Sequence, residues 1–284
     1  MVKKILKLPS TVNNDIDTVV AVYEEFYKIY PNLTSDDIFH IDFSNTNWIS
    51  AEMTSILGML IELVWEKTQN VTANPNSLDN RVKLILSKNG FLSTYGIGEQ
   101  IVDRHKTTIG FSRLKASNEE EIDEYIDKKL FAKMSKIKEL TDELVSYYGA
   151  SIMELAHNIT EHSGTYNVFM CGQHYPNLKK IHFALTDTGI GIPAKVKKKE
   201  PSILSDTEAI KWAFKQGNST REGNPHSGSG LHFTRIHLGK NSDIKVFSNR
   251  GYVHFKPDGT TKEKELNTNI KGTILIFTIN LDLL

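Results

Sequence analysis

The stretch ELAHNITEHSG (154–164), followed by LTDTGIGIP (185–193) and HSGSGL (226–231), decides how this chain is read. In order, the three supply a carboxylate with an amide four residues on, an acid beside two glycines, and a glycine loop opening a helix. On a helix Glu154 and Asn158 share one face, since residues four apart stack one above the other. An amide oxygen there can ligate Mg²⁺, a hard ion that keeps several waters and bridges phosphates. The carboxylate one turn away can orient or deprotonate a nucleophile. By spacing alone, an exposed helix face with polar residues at i, i+4 is the simpler account.

In the second stretch, Phe183 and Leu185 suggest a buried strand that ends in Asp187. An acid at a strand end can accept a hydrogen bond from an exocyclic amine such as that of adenine. Gly189 and Gly191 would let backbone approach a flat base with no Cβ in the way. GIG also occurs at 96–98, where it reads as a loop, so the glycines carry little alone. The third stretch belongs to GNSTREGNPHSGSGL (217–231), which leads into LHFTRIHL. Backbone N–H groups of a glycine loop at a helix N-terminus suit phosphate oxygens. Ser219, Thr220 and Arg221 would add hydroxyl and guanidinium contacts, and a plain surface loop is the alternative.

Upstream, residues 2–8 alternate apolar and charged and predict a strand stopped by Pro9; Ile38 to Phe43 predicts another. Apolar residues at helical spacing predict helices over Asp17–Tyr30, from a Ser50 cap to Trp65 with Glu52 and Glu62 at its edges, and over Arg81–Lys88. This order makes one small α/β unit over residues 1–116. The charged run SNEEEIDEYIDKK (117–129) reads as a solvated helix face and, with the residues up to 133, as a connecting segment. From Met134 to His162 the pattern is helical, with Gly149 expected to divide or kink it. Strands are predicted at 181–186, 243–248, 251–255 and 273–280, and a helix from Ser205 to Lys215.

Taken together, the ordered stretches resemble the nucleotide-binding boxes of the GHKL superfamily, the gyrase, Hsp90, histidine-kinase and MutL type of ATP-binding domain. Glu154 and Asn158 match its N box; Asp187, Gly189 and Gly191 match the first glycine box; Gly228, Gly230 and Leu231 match the second. KGTILIFTI (271–279) resembles the late Gly-Thr segment, which makes Thr273 the support of the adenine-binding acid. The resemblance covers 134–284 and implies a Bergerat-type α/β sandwich, helices on a mixed sheet, with Ala194–Ser227 as a mobile lid. It implies ATP and Mg²⁺ as cofactors, Asn158 holding the metal, and Glu154 as the catalytic base. His232 stands where a further glycine is common.

Within that superfamily ELAHNITEHSG is most similar to the serine-protein kinases that regulate anti-sigma factors. FHIDFSNTNWISAEMTSILGML (39–60) resembles a STAS domain, the fold of anti-sigma-factor antagonists. STAS phosphoacceptor serines sit at the start of the helix after this strand, where Ala51 and Glu52 stand here, with Ser50 and Thr54 as neighbouring hydroxyls. The expectation is a STAS-like α/β domain joined to a GHKL domain, with ATP hydrolysis or Ser/Thr phosphoryl transfer in a regulatory role. The alternative is a non-catalytic ATP-dependent switch that presents a protein-binding surface. Lys133–Tyr148 contains no histidine for a phosphoacceptor, which disfavours a sensor kinase.

Composition sets the remaining expectations. Lys plus Arg and Asp plus Glu both number 34, so no overall field draws the chain onto nucleic acid or an anionic membrane. No apolar run reaches the roughly 18 residues that span a bilayer, and MVKKILKLPS is too interrupted for a signal peptide. Cys171 is the single cysteine, which excludes an internal disulfide and points to a reducing cytoplasm. The partners expected are ATP, a regulatory protein and a second copy of the chain.

Overall fold

The computed structural model describes residues 2–162, 164–220, 231–232, 235 and 241–284, the side chains of Glu161 and His162 excepted. It is a mixed α/β structure. The N-terminal part runs β1 (Lys3–Lys7), β2 (Thr11–Val12), α1 (Ile16–Ile29), β3 (Ile38–Asp42), β4 (Trp48–Ile49), α2 (Met53–Trp65), β5 (Val71–Ala73), α3 (Asn80–Lys88) and α4 (Phe91–Thr94). Then come β6 (Thr108–Lys115), α5 (Glu119–Tyr125), a π-helical stretch (Ile126–Phe131), α6 (Ala132–Met134) and α7 (Asp142–His162). The chain continues with β7 (Asn167–Tyr175), β8 (Lys180–Asp187), α8 (Ile192–Lys199), α9 (Asp206–Ala213), β9 (Ser242–Phe255) and β10 (Thr261–Asn280).

A parallel sheet of order β1-β3-β5 lies in the N-terminal part, and a five-stranded sheet of order β6-β7-β8-β10-β9 forms the centre. Every described pairing in the larger sheet is antiparallel, where the resemblance implied a mixed one. β6 pairs with β7, so residues 108–115, grouped by sequence with the N-terminal unit, are the edge strand of the C-terminal sheet.

Strand alternation sends the side chains of this sheet into two separate cores. Ile181, Phe183 and Leu185 of β8 join Leu275, Phe277 and Ile279 of β10 under α7, α8 and α9. On the opposite face Phe169, Cys171, Ala184, Phe247, Ile274 and Ile276 pack with the apolar residues of α1 and α2. A sheet covered on both faces has no solvent side, so its strands read as continuous apolar runs such as Ile274–Phe277.

Several local expectations are corrected. The helix expected from Ser50 begins at Met53; no side-chain hydrogen bond caps it among the described residues, and the Ser50 carbonyl accepts the Met53 N–H at 3.0 Å. Glu52 and Glu62, read as lying at the helix edges, are both buried. Asn14 Nδ2 donates to Glu52 Oε1 at 2.6 Å, and His182 Nδ1 lies 3.0 Å from the same oxygen. Glu62 accepts from Arg113 Nη2 at 2.7 Å and Asn167 Nδ2 at 2.6 Å. One carboxylate just before α2 and one within it thus fasten the N-terminal part to β6, β7 and β8.

Gly149 does not divide α7, which runs unbroken from Asp142 to His162. Its role is contact: a Cβ there would lie 1.4 Å from Cζ of Phe131, so only glycine admits that ring. The strands expected at 243–248 and 251–255 are one strand, β9, carried through Asn249 in the left-handed region at φ 51°.

Candidate nucleotide site

Asp187 ends β8 opposite Thr273 of β10, and its side chain is fully buried. Oδ1 accepts the Gly189 N–H at 2.7 Å, which closes the turn after the strand. Oδ2 is buried without a hydrogen-bond partner among the described residues. Burial pushes its carboxyl up to about 7, against the Gly189 and Thr273 hydrogen bonds that favour the ionised form. A buried acceptor left open costs free energy unless something fills it, so the atom is an address for a donor.

The strand ends around it are held by close backbone approach and hydroxyl bonds. Gly272 has φ +80°, and a Cβ there would lie 1.9 Å from the Asp187 carbonyl oxygen. Ser248 Oγ donates to the Gly272 carbonyl at 2.7 Å and stands 3.1 Å from Thr273 Oγ1. The same hydroxyl accepts the Ile192 N–H at 3.0 Å. Gly191 has φ +85°, and a Cβ there would lie 2.6 Å from Asn249 Oδ1, a second buried acceptor with no described partner. Gly191 is therefore required by the fold of its own turn, a constraint its spacing in the sequence did not reveal.

On α7, Asn158 Nδ2 donates to the Glu154 carbonyl at 2.8 Å and to Glu154 Oε1 at 3.0 Å. With the amide nitrogen tied back, Oδ1 is the atom left to ligate a cation. The inner face of this helix, Ile152, Leu155, Ala156 and Ile159, lies in the core with Leu185 of β8. Just past the helix, Thr165 Oγ1 accepts the Thr188 N–H at 3.2 Å and stands 3.1 Å from Thr188 Oγ1. The end of α7 that carries Asn158 thus lies beside the end of β8 that carries Asp187.

Ser219 and Thr220 are half-buried in the loop after α9. Arg221, Gly228 and Gly230 lie outside the described residues, as does the side chain of His162. Leu231 and His232 are helical, and Leu231 packs against the core shared by α7 and the sheet. The lid expected over Ala194–Ser227 is corrected at its start. Val196 of α8 and Ala209, Ile210 and Ala213 of α9 are buried in that same core, and Phe214 with them. Lys197 of α8 is paired with Asp206 of α9 at 2.5 Å.

The hydroxyls weighed as phosphoacceptors are enclosed. Ser50 is 7% exposed and Thr54 0%, and Thr54 Oγ1 donates to the Ala51 carbonyl at 2.7 Å. Cys171 is buried and its thiol is pushed up to about 12 by that burial, so it is a packing residue. No protein-family model matches the chain, and no curated protein matches it.

Proposed function

We propose that this protein binds ATP with Mg²⁺ at the ends of α7, β8 and β10, in the manner of a GHKL domain. The observation that carries the reading is the open, fully buried Oδ2 of Asp187. An adenine amine is a donor of the right kind for it, and nothing bulky follows at Gly189. Asn158 Oδ1 would hold the metal, and Glu154 would orient water or a hydroxyl. Bound ATP supplies the γ-phosphoryl group; the side chains contribute position and charge, which is most of what phosphoryl transfer needs.

A regulatory role finds support on the other face of the same strand. Thr186, the residue before Asp187, donates from Oγ1 to the Ser55 carbonyl of α2 at 3.1 Å. A ligand seated on Asp187 would act one residue from the contact that fastens the STAS-like part. This favours ATP as a switch in addition to ATP as a substrate, with a shift limited to the ligand's differential affinity for the two states.

The test is thermal stabilisation by ATP–Mg²⁺ compared with GTP and ADP. At a hundred times its dissociation constant a ligand adds about 2.7 kcal/mol. Absence of any ATP effect at millimolar nucleotide would end the proposal. With ATP labelled at the γ-phosphate, released phosphate identifies an ATPase, labelled protein a kinase, and binding with neither a switch.

A further inference from the structure

At the far edge of the central sheet from β9, a cleft of about 540 Å³ opens between the end of α3, the 100–106 loop, β6 and the π-helical stretch. Six lysines line it, Lys88, Lys106, Lys128, Lys129, Lys133 and Lys136, against a single acid, Asp103. Six positive charges less one negative leave five in excess, in a chain whose lysine-arginine and acid totals are equal. None of its lining residues belongs to the Asp187 turn or to the Glu154–Asn158 pair, so the cleft is independent of the nucleotide reading.

The one acid, Asp103, is positioned by the loop that carries it. Asp103 Oδ2 accepts the N–H groups of Thr107 at 2.6 Å and Thr108 at 2.7 Å, and Oδ1 lies 3.8 Å from Lys88 Nζ. Lys128 is paired with Glu124, and Lys129 is spread between Ser112 and the Tyr125 ring. Lys133 donates to the carbonyl of Lys106, whose backbone is in the left-handed region at φ 52°. Burial, with Lys136 and Lys106 nearby, lowers the Lys133 ammonium below its ordinary value against the pull of Asp103. Lys106 and Lys136 are exposed. The π-helical stretch carries Lys128 and Lys129 to the cleft, and Lys133 follows in α6.

We infer that this cleft binds a small organic molecule carrying two or more phosphate groups, either free or as the headgroup of a lipid. Its volume is that of a small-molecule site, too small for a nucleic-acid duplex. Lysines without an arginine among the lining residues suit phosphate as compact point charges, whereas planar carboxylates favour the guanidinium fork. Ile101 and Val102 stand on the rim at 46% and 78% exposure, an apolar edge for the organic part or for an acyl region.

The experiment uses the whole chain with pyrophosphate, inositol hexakisphosphate and citrate by calorimetry, and phosphatidylcholine vesicles with and without phosphatidylinositol bisphosphate by sedimentation. Each phosphate probe is offered to the wild type and to Asp187→Asn, so that occupancy of the nucleotide site is not mistaken for the cleft. Binding of a phosphate probe by both proteins, weakened about tenfold in Lys106→Gln/Lys136→Gln and by added salt, is the expected result. Saturation by the free probes assigns a soluble ligand. Sedimentation with the bisphosphate vesicles alone, lost in Ile101→Ser/Val102→Ser, assigns a headgroup. Should the double glutamine variant fold poorly, Lys133→Gln gives the same reading. The inference is overturned if no phosphate probe binds, if citrate binds equally well, or if the lysine variants bind as the wild type does.

Discussion

Glu52, the residue before α2, and His182 of β8 lie 3.0 Å apart, 130 residues apart in the chain, with the carboxylate fully buried. Asn14 donates to the same oxygen at 2.6 Å, and Tyr175 Oη lies 3.4 Å from the other. Lys245 reaches in from β9 to donate to the Asn14 carbonyl and Oδ1, both at 2.9 Å. At the place where a STAS domain would carry its phosphoacceptor, this chain has a carboxylate used as a fastening between layers.

Glu52→Ala should therefore destabilise the protein by about 3 kcal/mol, because buried donors lose their acceptor. Glu52→Gln, which keeps one acceptor oxygen, should cost less, about 1 kcal/mol. Burial alone would raise the Glu52 carboxyl, but the hydrogen bond and charge of His182 hold it below its ordinary value of 4.5. Its contribution is then complete above pH 4.5 and is lost as pH falls through the lower folded value. Denaturant midpoints measured against pH should show a steeper acid loss in the wild type than in Glu52→Gln; parallel curves would show that the carboxylate is not stabilised by the fold.

Asp187 titrates in the opposite sense. Its carboxyl sits at about 7 instead of 3.8, so the folded state holds a proton that the unfolded chain releases. Stability from this group is full below pH 3.8 and declines as pH rises to about 7. Asp187→Asn should remove that decline and stabilise the ligand-free protein at pH 8 by about 1–3 kcal/mol. The same substitution should abolish stabilisation by ATP, the pattern of a site held at a cost for its function. A variant less stable than the wild type at pH 8 would mean that Oδ2 is already satisfied.

Much of this architecture is legible in the sequence where one element sees one environment. α1, with Val19, Val22, Tyr23 and Phe26 buried along one stripe, is legible from helical spacing. β7 is not, because Val168, Phe169, Met170 and Cys171 are buried in succession on two different faces and show no alternation. β6 is broken by a register shift between Ile109 and Ser112 that hides its period. The roles of Glu52 and Glu62 depend on partners 130 and 105 residues away, which no local pattern carries. At the proposed nucleotide site, residue types at Glu154, Asn158 and Asp187 are legible as chemistry; the open Oδ2 is a property of burial alone.

Gly272 gives a structural test of the same turn. Its φ of +80° and the 1.9 Å approach to the Asp187 carbonyl leave no room for a methyl group. Gly272→Ala should cost about 3 kcal/mol or more and shift Asp187 as the strands part. Chemical denaturation measures the first effect and ATP calorimetry the second. A variant of normal stability would show that β8 and β10 are not packed this closely.

Glu154 separates binding from turnover. Asn158 Nδ2 is held by the Glu154 backbone carbonyl at 2.8 Å as well as by the carboxylate, so truncating the side chain leaves one anchor in place. Glu154→Ala should then retain ATP–Mg²⁺ affinity within about threefold, the value of one modest hydrogen bond. Any phosphate release or transfer should fall by about 10²-fold or more, the usual contribution of a positioned base. Asn158→Ala should instead weaken ATP binding in the presence of Mg²⁺ and leave metal-free binding unchanged. Calorimetry with and without EDTA, run beside a phosphate-release assay, distinguishes the two. Turnover that survives Glu154→Ala at the wild-type rate would remove the carboxylate from the reaction and leave the pair with its simpler role as polar residues on a half-buried helix face.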